Sequence, residues 1–105
     1  MADIFKILQQ AQQVQSKMEA LQEELSKMTV TGSSGGGMVT VEADGKGNVR
    51  KIKLDPSVVS PTDVEMLEDL IVAAISQAQA KARQAYEEEM KKAAGGLPMQ
   101  IPGLF

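Results

Sequence analysis

An α+β fold of order α-β-β-β-α is predicted for this chain, with long N- and C-terminal helices flanking a small antiparallel sheet. Three patterns predict it: an unbroken 3,4 apolar spacing over residues 4 to 28, two alternating runs on either side of "GKG" at 45 to 47, and a second helical seam behind "SPTD". At 105 residues there is room for one modest core, and chains of this size often complete their burial by associating, so a homodimer is expected.

The first helix is expected over 3–28. Ile4, Ile7, Ala11, Val14, Met18, Leu21, Leu25 and Met28 fall on one face, with polar, helix-favouring pairs between them and no Gly or Pro. So narrow a seam suits a partner helix, in the same subunit or across a subunit boundary. The pattern then changes to period two. Strands are expected at about 29–32, 38–44 and 48–54, with "SSGGG" at 33–37 as a flexible connector. If the reversal centres on Lys46 and Gly47, Val41 faces Ile52 and Val39 faces Leu54 on the apolar side. Glu42 then faces Lys51 and Thr40 faces Lys53 outside, and a one-residue slip would set Val41 against Lys51.

The second helix is expected over 61–94. Ser60 is read as its N-cap and Pro61 as its first residue, and Asp63, Glu65, Glu68 and Asp69 lie at the favourable end of the dipole. Val64, Leu67, Ile71, Ala74, Ala78, Ala82, Ala85 and Tyr86 form the seam. Its alanines either admit a close neighbour or are present as the best helix formers. Residues 1–94 are thus read as a single domain. A Gly/Pro-rich tail at 95–105 is expected to be flexible, unless its apolar residues dock into a groove on the same or a neighbouring subunit.

Composition argues against whole classes of chemistry. Cys and His are both absent, which removes disulfides, thiolate and imidazole metal sites, and the usual nucleophile triads. "GKG" lacks the Ser or Thr and the upstream glycine of a Walker loop, and no G-x-G-x-x-G surrounds Gly35–Gly37. Glu87, Glu88 and Glu89 point in successive directions round a helix and cannot converge on a metal. Neither an enzyme nor a cofactor, metal or small-molecule substrate is expected. No apolar run approaches the roughly 18 residues that suggest a membrane span, and the start has no secretory pattern, so a cytoplasmic protein is expected.

Charge carries the remaining signal. The net charge is −3, yet Lys46, Arg50, Lys51 and Lys53 fall within eight positions, and Lys81 and Arg83 occupy an acid-free stretch. A polyanion feels local sign, so a basic patch attracts phosphate whatever the total. The competing reading is that these lysines only protect an edge strand and offset Glu42. Arg50 could read guanine, but the alternation aims it at the apolar side.

Taken together, "GGGMVTVEADGKGNVRKIKLDPSVV" and the tail ending in "PGLF" resemble the YbaB/EbfC family, and the similarity of element order covers nearly the whole chain. The resemblance implies a homodimer with a central β region and projecting helical arms. It also implies binding to double-stranded DNA, a change in DNA conformation, and effects on nucleoid organisation and gene expression. DNA held between the arms would favour Lys6, Lys17, Lys27, Lys81 and Arg83, whereas the charge reading favours Lys46, Lys51 and Lys53. A second resemblance is to prefoldin-type chaperones, which would use exposed apolar side chains such as Ile4, Phe5, Ile7, Leu8 and the Phe105 tail.

Overall fold

The computed structural model describes residues 2–95; Gly95, expected to open the flexible tail, ends the second helix, and residues 96–105 of that tail lie outside the described residues. Helix α1 spans Ala2–Lys27, strands β1, β2 and β3 span Val30–Ser34, Val39–Ala43 and Val49–Leu54, and helix α2 spans Val64–Gly95. The expected α-β-β-β-α order is what forms. The molecule is elongated, 72 × 23 × 17 Å, because both helices run beyond the sheet.

The sheet is antiparallel in the order β1-β2-β3. Between β2 and β3, Val41 pairs with Ile52, Val39 with Leu54, Glu42 with Lys51 and Thr40 with Lys53, the register that the apolar alternation demands. A bulge between Glu42 and Ala43 then sets Ala43 opposite Val49. Helix α2 packs across β1 and β2, burying Val39, Val41 and Ala43 against Ala74 and Ala78. Each valine removed from water in this way stabilises by roughly 1.5–3 kcal/mol.

Three local expectations are corrected. "SSGGG" is not a loose connector. Ser33 and Ser34 belong to β1, and Gly35, Gly36 and Gly37 make a tight turn with φ of 60°, 68° and 92°, values open to three successive residues only if all are glycine. β1 is held to α2 by side chains: the Ser33 amide donates to Gln77 Oε1 at 2.7 Å and Ser34 Oγ donates to the Leu70 carbonyl at 2.6 Å.

Helix α2 begins at Val64, not at residue 61. The Asp63 amide donates to the Ser60 carbonyl at 3.1 Å, closing a separate turn through Pro61 and Thr62, and Asp63 becomes the residue that precedes the helix. Upstream, Pro56–Val58 form a short 3₁₀ turn capped by Asp55, whose carboxylate accepts the Ser57 amide at 2.9 Å. That bond holds the Asp55 carboxyl below its ordinary value.

The third correction concerns alanine. Ala74, Ala78 and Ala82 are buried, and Gly32 lies directly against the backbone of Ala74 and Ala78. Close approach, and not helix propensity alone, accounts for small side chains here.

Strand β3 is an edge, with no further strand beside it among the described residues. Because α2 lies over β1 and β2, Ile52 on the apolar side of β3 remains 43% exposed.

Candidate nucleic-acid interface

The position of the hairpin tip is set by Asp44, a buried carboxylate. Its Oδ1 accepts the amides of Lys46 at 2.9 Å and Asn48 at 3.0 Å, and its Oδ2 accepts Asn48 Nδ2 at 3.1 Å. Arg50 Nη2 approaches Oδ2 at 3.4 Å and also donates to the Ser26 carbonyl at the end of α1. Desolvation opposes ionisation of Asp44, but the Asn48, Lys46 and Arg50 donors outweigh it, and its pKa is lowered. The Gly45 amide donates to the Leu25 carbonyl at 2.8 Å, tying the tip to α1.

Arg50 is therefore part of the scaffold. Sequence alternation aims it at the apolar side, and the adjacent bulge lets its guanidinium reach Asp44 and the α1 terminus instead.

Above this scaffold, Gly45, Lys46 and Gly47 face Gln79, Ala82, Arg83 and Tyr86 across a cleft of about 330 Å³. Gln79 Nε2 donates to the Gly47 carbonyl at 3.2 Å, which holds the tip beside α2. Two cations 37 positions apart in sequence thus line one concavity, next to a half-exposed tyrosine. Sequence reasoning misses Gln79 and Tyr86 as binding candidates. The signal that could have found them is the 79, 83, 86 spacing, which places three polar-tipped side chains on one flank of a helix.

The other candidates separate into distinct surfaces. Lys51 and Lys53 point to the face of the sheet that α2 leaves open, with Glu42 paired opposite Lys51. Lys81 is about 200° round the helix from Arg83, so the two do not act on one face. On α1, Lys27 forms an exposed ion pair with Glu23 at 3.2 Å, and Lys17 lies nearer the middle of the helix. That helix carries three lysines against four acids, and residues 83–95 of α2 carry three cations against three acids. Residues 38–54 carry four cations against two acids, so the positive surplus sits on the hairpin.

Among the described residues no cluster of acids could hold a metal ion, and no helix is long and apolar enough to cross a membrane.

Comparison with known proteins gives one answer. Residues 1–97 match the model of the YbaB/EbfC DNA-binding family. A protein of Gemmatimonas aurantiaca is 49% identical over 102 residues, covering 95% of this chain and 98% of its own. One from Paramagnetospirillum magneticum is 53% identical over 97 residues, covering 92% and 91%. Both bear the name nucleoid-associated protein. A crystal structure of an uncharacterized Helicobacter pylori protein superposes with a TM-score of 0.58 at 27% identity, covering 78% of this chain and 90% of that one. Because the matched region takes in the helices, the sheet and the basic cleft together, the chain belongs to the YbaB/EbfC DNA-binding family.

Proposed function

We propose that this protein is a nucleoid-associated homodimer that binds double-stranded DNA through phosphate contacts, without catalysis, and changes the path of the DNA and thereby gene expression. The observation that carries the reading is the meeting of Lys46 and Arg83 in one cleft, with Lys51 and Lys53 on the neighbouring open face of the sheet. Such contacts fix position on the duplex backbone and carry no sequence information directly, so binding is weakly selective.

Dimerisation supplies the necessary density of charge. The unpaired edge of β3 and the exposed Ile52 beside it suit a second copy, which would satisfy the edge and cover the apolar side. Two copies bring eight cations of this set, Lys46, Lys51, Lys53 and Arg83 from each, to one assembly. If half of them neutralise phosphates, the slope of log affinity against log salt is about −3.6. A DNA molecule gripped at two such surfaces must follow the shape of the dimer, at a bending cost of a few kcal/mol offset by the added contacts.

The test is a fluorescence anisotropy titration of duplex DNA across a salt series. A steep loss of affinity with salt supports this reading. Salt-independent capture of an unfolded client, with no uptake of duplex, would instead support the chaperone reading based on Ile4, Phe5, Ile7 and Leu8.

A further inference from the structure

Two cations in the cleft beside the hairpin tip are left without an ionic partner by the fold. Lys27, Arg50 and Lys92 form ion pairs, with Glu23, Asp44 and Glu89 in turn. Lys46 and Arg83 form none among the described residues, and no described carboxylate lines the cleft that they share. The backbone of the tip is not available to an anion, because each amide there already has an acceptor. Gly45 donates to the Leu25 carbonyl at 2.8 Å, Lys46 to Asp44 Oδ1 at 2.9 Å and Gly47 to the Asp44 carbonyl at 3.1 Å. An anion in this cleft is therefore held by the two side chains.

Phosphate alone does not account for the rest of the lining. Tyr86, the one tyrosine of a chain without Trp, follows Arg83 at i+3, a spacing that sets Cβ atoms about 5–6 Å apart on a helix surface. It is 40% exposed, and its hydroxyl has no hydrogen-bond partner among the described residues, so one side of the ring is open to a planar ligand. Gln79 uses its Nε2 on the Gly47 carbonyl, and no described donor reaches its Oε1. An aromatic wall, an open acceptor and two unpaired cations complement a nucleotide, which joins a flat base with polar edges to a phosphate. The cleft volume of about 330 Å³ lies at the lower end of the roughly 300–1,000 Å³ of small-ligand pockets. That is room for one nucleotide, whereas a paired duplex keeps its bases stacked and meets only the rim.

We propose that this cleft takes one unpaired nucleotide of a DNA strand, with its base against Tyr86 and its phosphate between Lys46 and Arg83. The proposal rests on the phosphate reading above and adds to it a preference for DNA in which a base is already out of the stack, at a bulge, a gap or an end. A base without a pairing partner costs least to extrude, and stacking on an aromatic ring accepts any base, so the preference is for structure and not for sequence.

The test compares three duplexes of one sequence in equilibrium titrations with the full-length protein: fully paired, with a single bulged nucleotide, and with an abasic residue at the same bulge. The last two have the same number of phosphates and the same break in the helix, and differ only in the base. The base-containing bulge should bind about tenfold tighter than the abasic one, the effect of stacking one base. Tyr86→Ala should bring that ratio close to one, and Tyr86→Phe, which keeps the ring, should preserve it. In Tyr86→Trp the only indole of the chain reports the cleft, and its emission should be quenched by the bulged base and not by the abasic or fully paired duplex. Equal affinity for the two bulges, with binding still lost at high salt, would overturn this inference while leaving phosphate binding by Lys46 and Arg83 in place. Failure to bind any of the three duplexes would overturn both. Quenching by a free nucleoside monophosphate at micromolar concentration, with no response to the bulge, would overturn the assignment to a DNA strand.

Discussion

Gly32 of β1 lies so close to Ala78 of α2 that a methyl group built on it would overlap the Ala78 amide nitrogen and the Ala74 carbonyl oxygen, and would stand 3.0 Å from Ala78 Cα. The obstructing atoms are backbone and cannot rotate away. Gly32→Ala is therefore expected to cost about 1–3 kcal/mol, as overpacking of a closed core does. For a domain of this size that is a fall in Tm of about 4–8 °C per kcal/mol, measurable by thermal unfolding followed by circular dichroism.

Asp44 gives a pH prediction. Its folded carboxyl holds a proton less tightly than the unfolded one, so between the lowered folded value and the ordinary value the unfolded chain binds more protons. Its contribution to stability is complete above about pH 4 and is lost as pH falls through the folded value. Asp44→Asn should flatten the acid limb of the stability profile, and Asp44→Ala should lower stability at pH 7 by about 1–3 kcal/mol through loss of the part-buried hydrogen bonds from Lys46 and Asn48 that hold the hairpin tip. Denaturant melts at pH 7 and below pH 4 check both.

The edge strand predicts how association fails. Ile52→Lys places a charge on the apolar side of β3 while leaving the monomer core of Val39, Val41 and Ala43 intact. A shift from dimer to monomer is expected in sedimentation velocity, with little change in helix content. A single sedimenting species of unchanged mass would place the subunit contact elsewhere.

Glu42 offers a gain of function. It faces Lys51 across the β2–β3 register and weakens the positive field of the open sheet face. Glu42→Gln should tighten duplex binding at low salt and leave Tm nearly unchanged, because exposed pairs contribute about 0–1 kcal/mol. Equilibrium titration of the two proteins side by side measures the difference.

Local patterns in the sequence carry the element order and the hairpin register, since both depend on which face of a helix or strand is apolar. Val41 can face Ile52 or Lys51, and only one choice buries carbon. What is not legible depends on contacts between distant segments. Three consecutive glycines read equally well as a slack linker or as a turn with positive φ, and docking of Ser33 and Ser34 on α2 selects the turn. Pro61 has the signature of a helix start, but the Asp63–Ser60 hydrogen bond takes that segment into a turn of its own. Arg50 counts as one more cation in a basic run until Asp44 and Ser26 give it partners. The Lys46–Arg83 cleft cannot be read from charge spacing along the chain, because the fold brings together residues that the sequence keeps far apart.

Phosphate binding by the hairpin cations and by Arg83, which faces the hairpin tip, is tested most directly by comparing charge reversals in one titration series. Lys46→Glu with Arg83→Glu, and separately Lys51→Glu with Lys53→Glu, should each weaken duplex binding and reduce the magnitude of the salt slope by about 0.9 for every phosphate that is no longer neutralised. Lys27→Glu on the arm should change neither by a comparable amount. Undiminished binding and an unchanged slope in both hairpin variants, with weakened binding in the arm variant, would place the duplex on the helical arms and not on the hairpin.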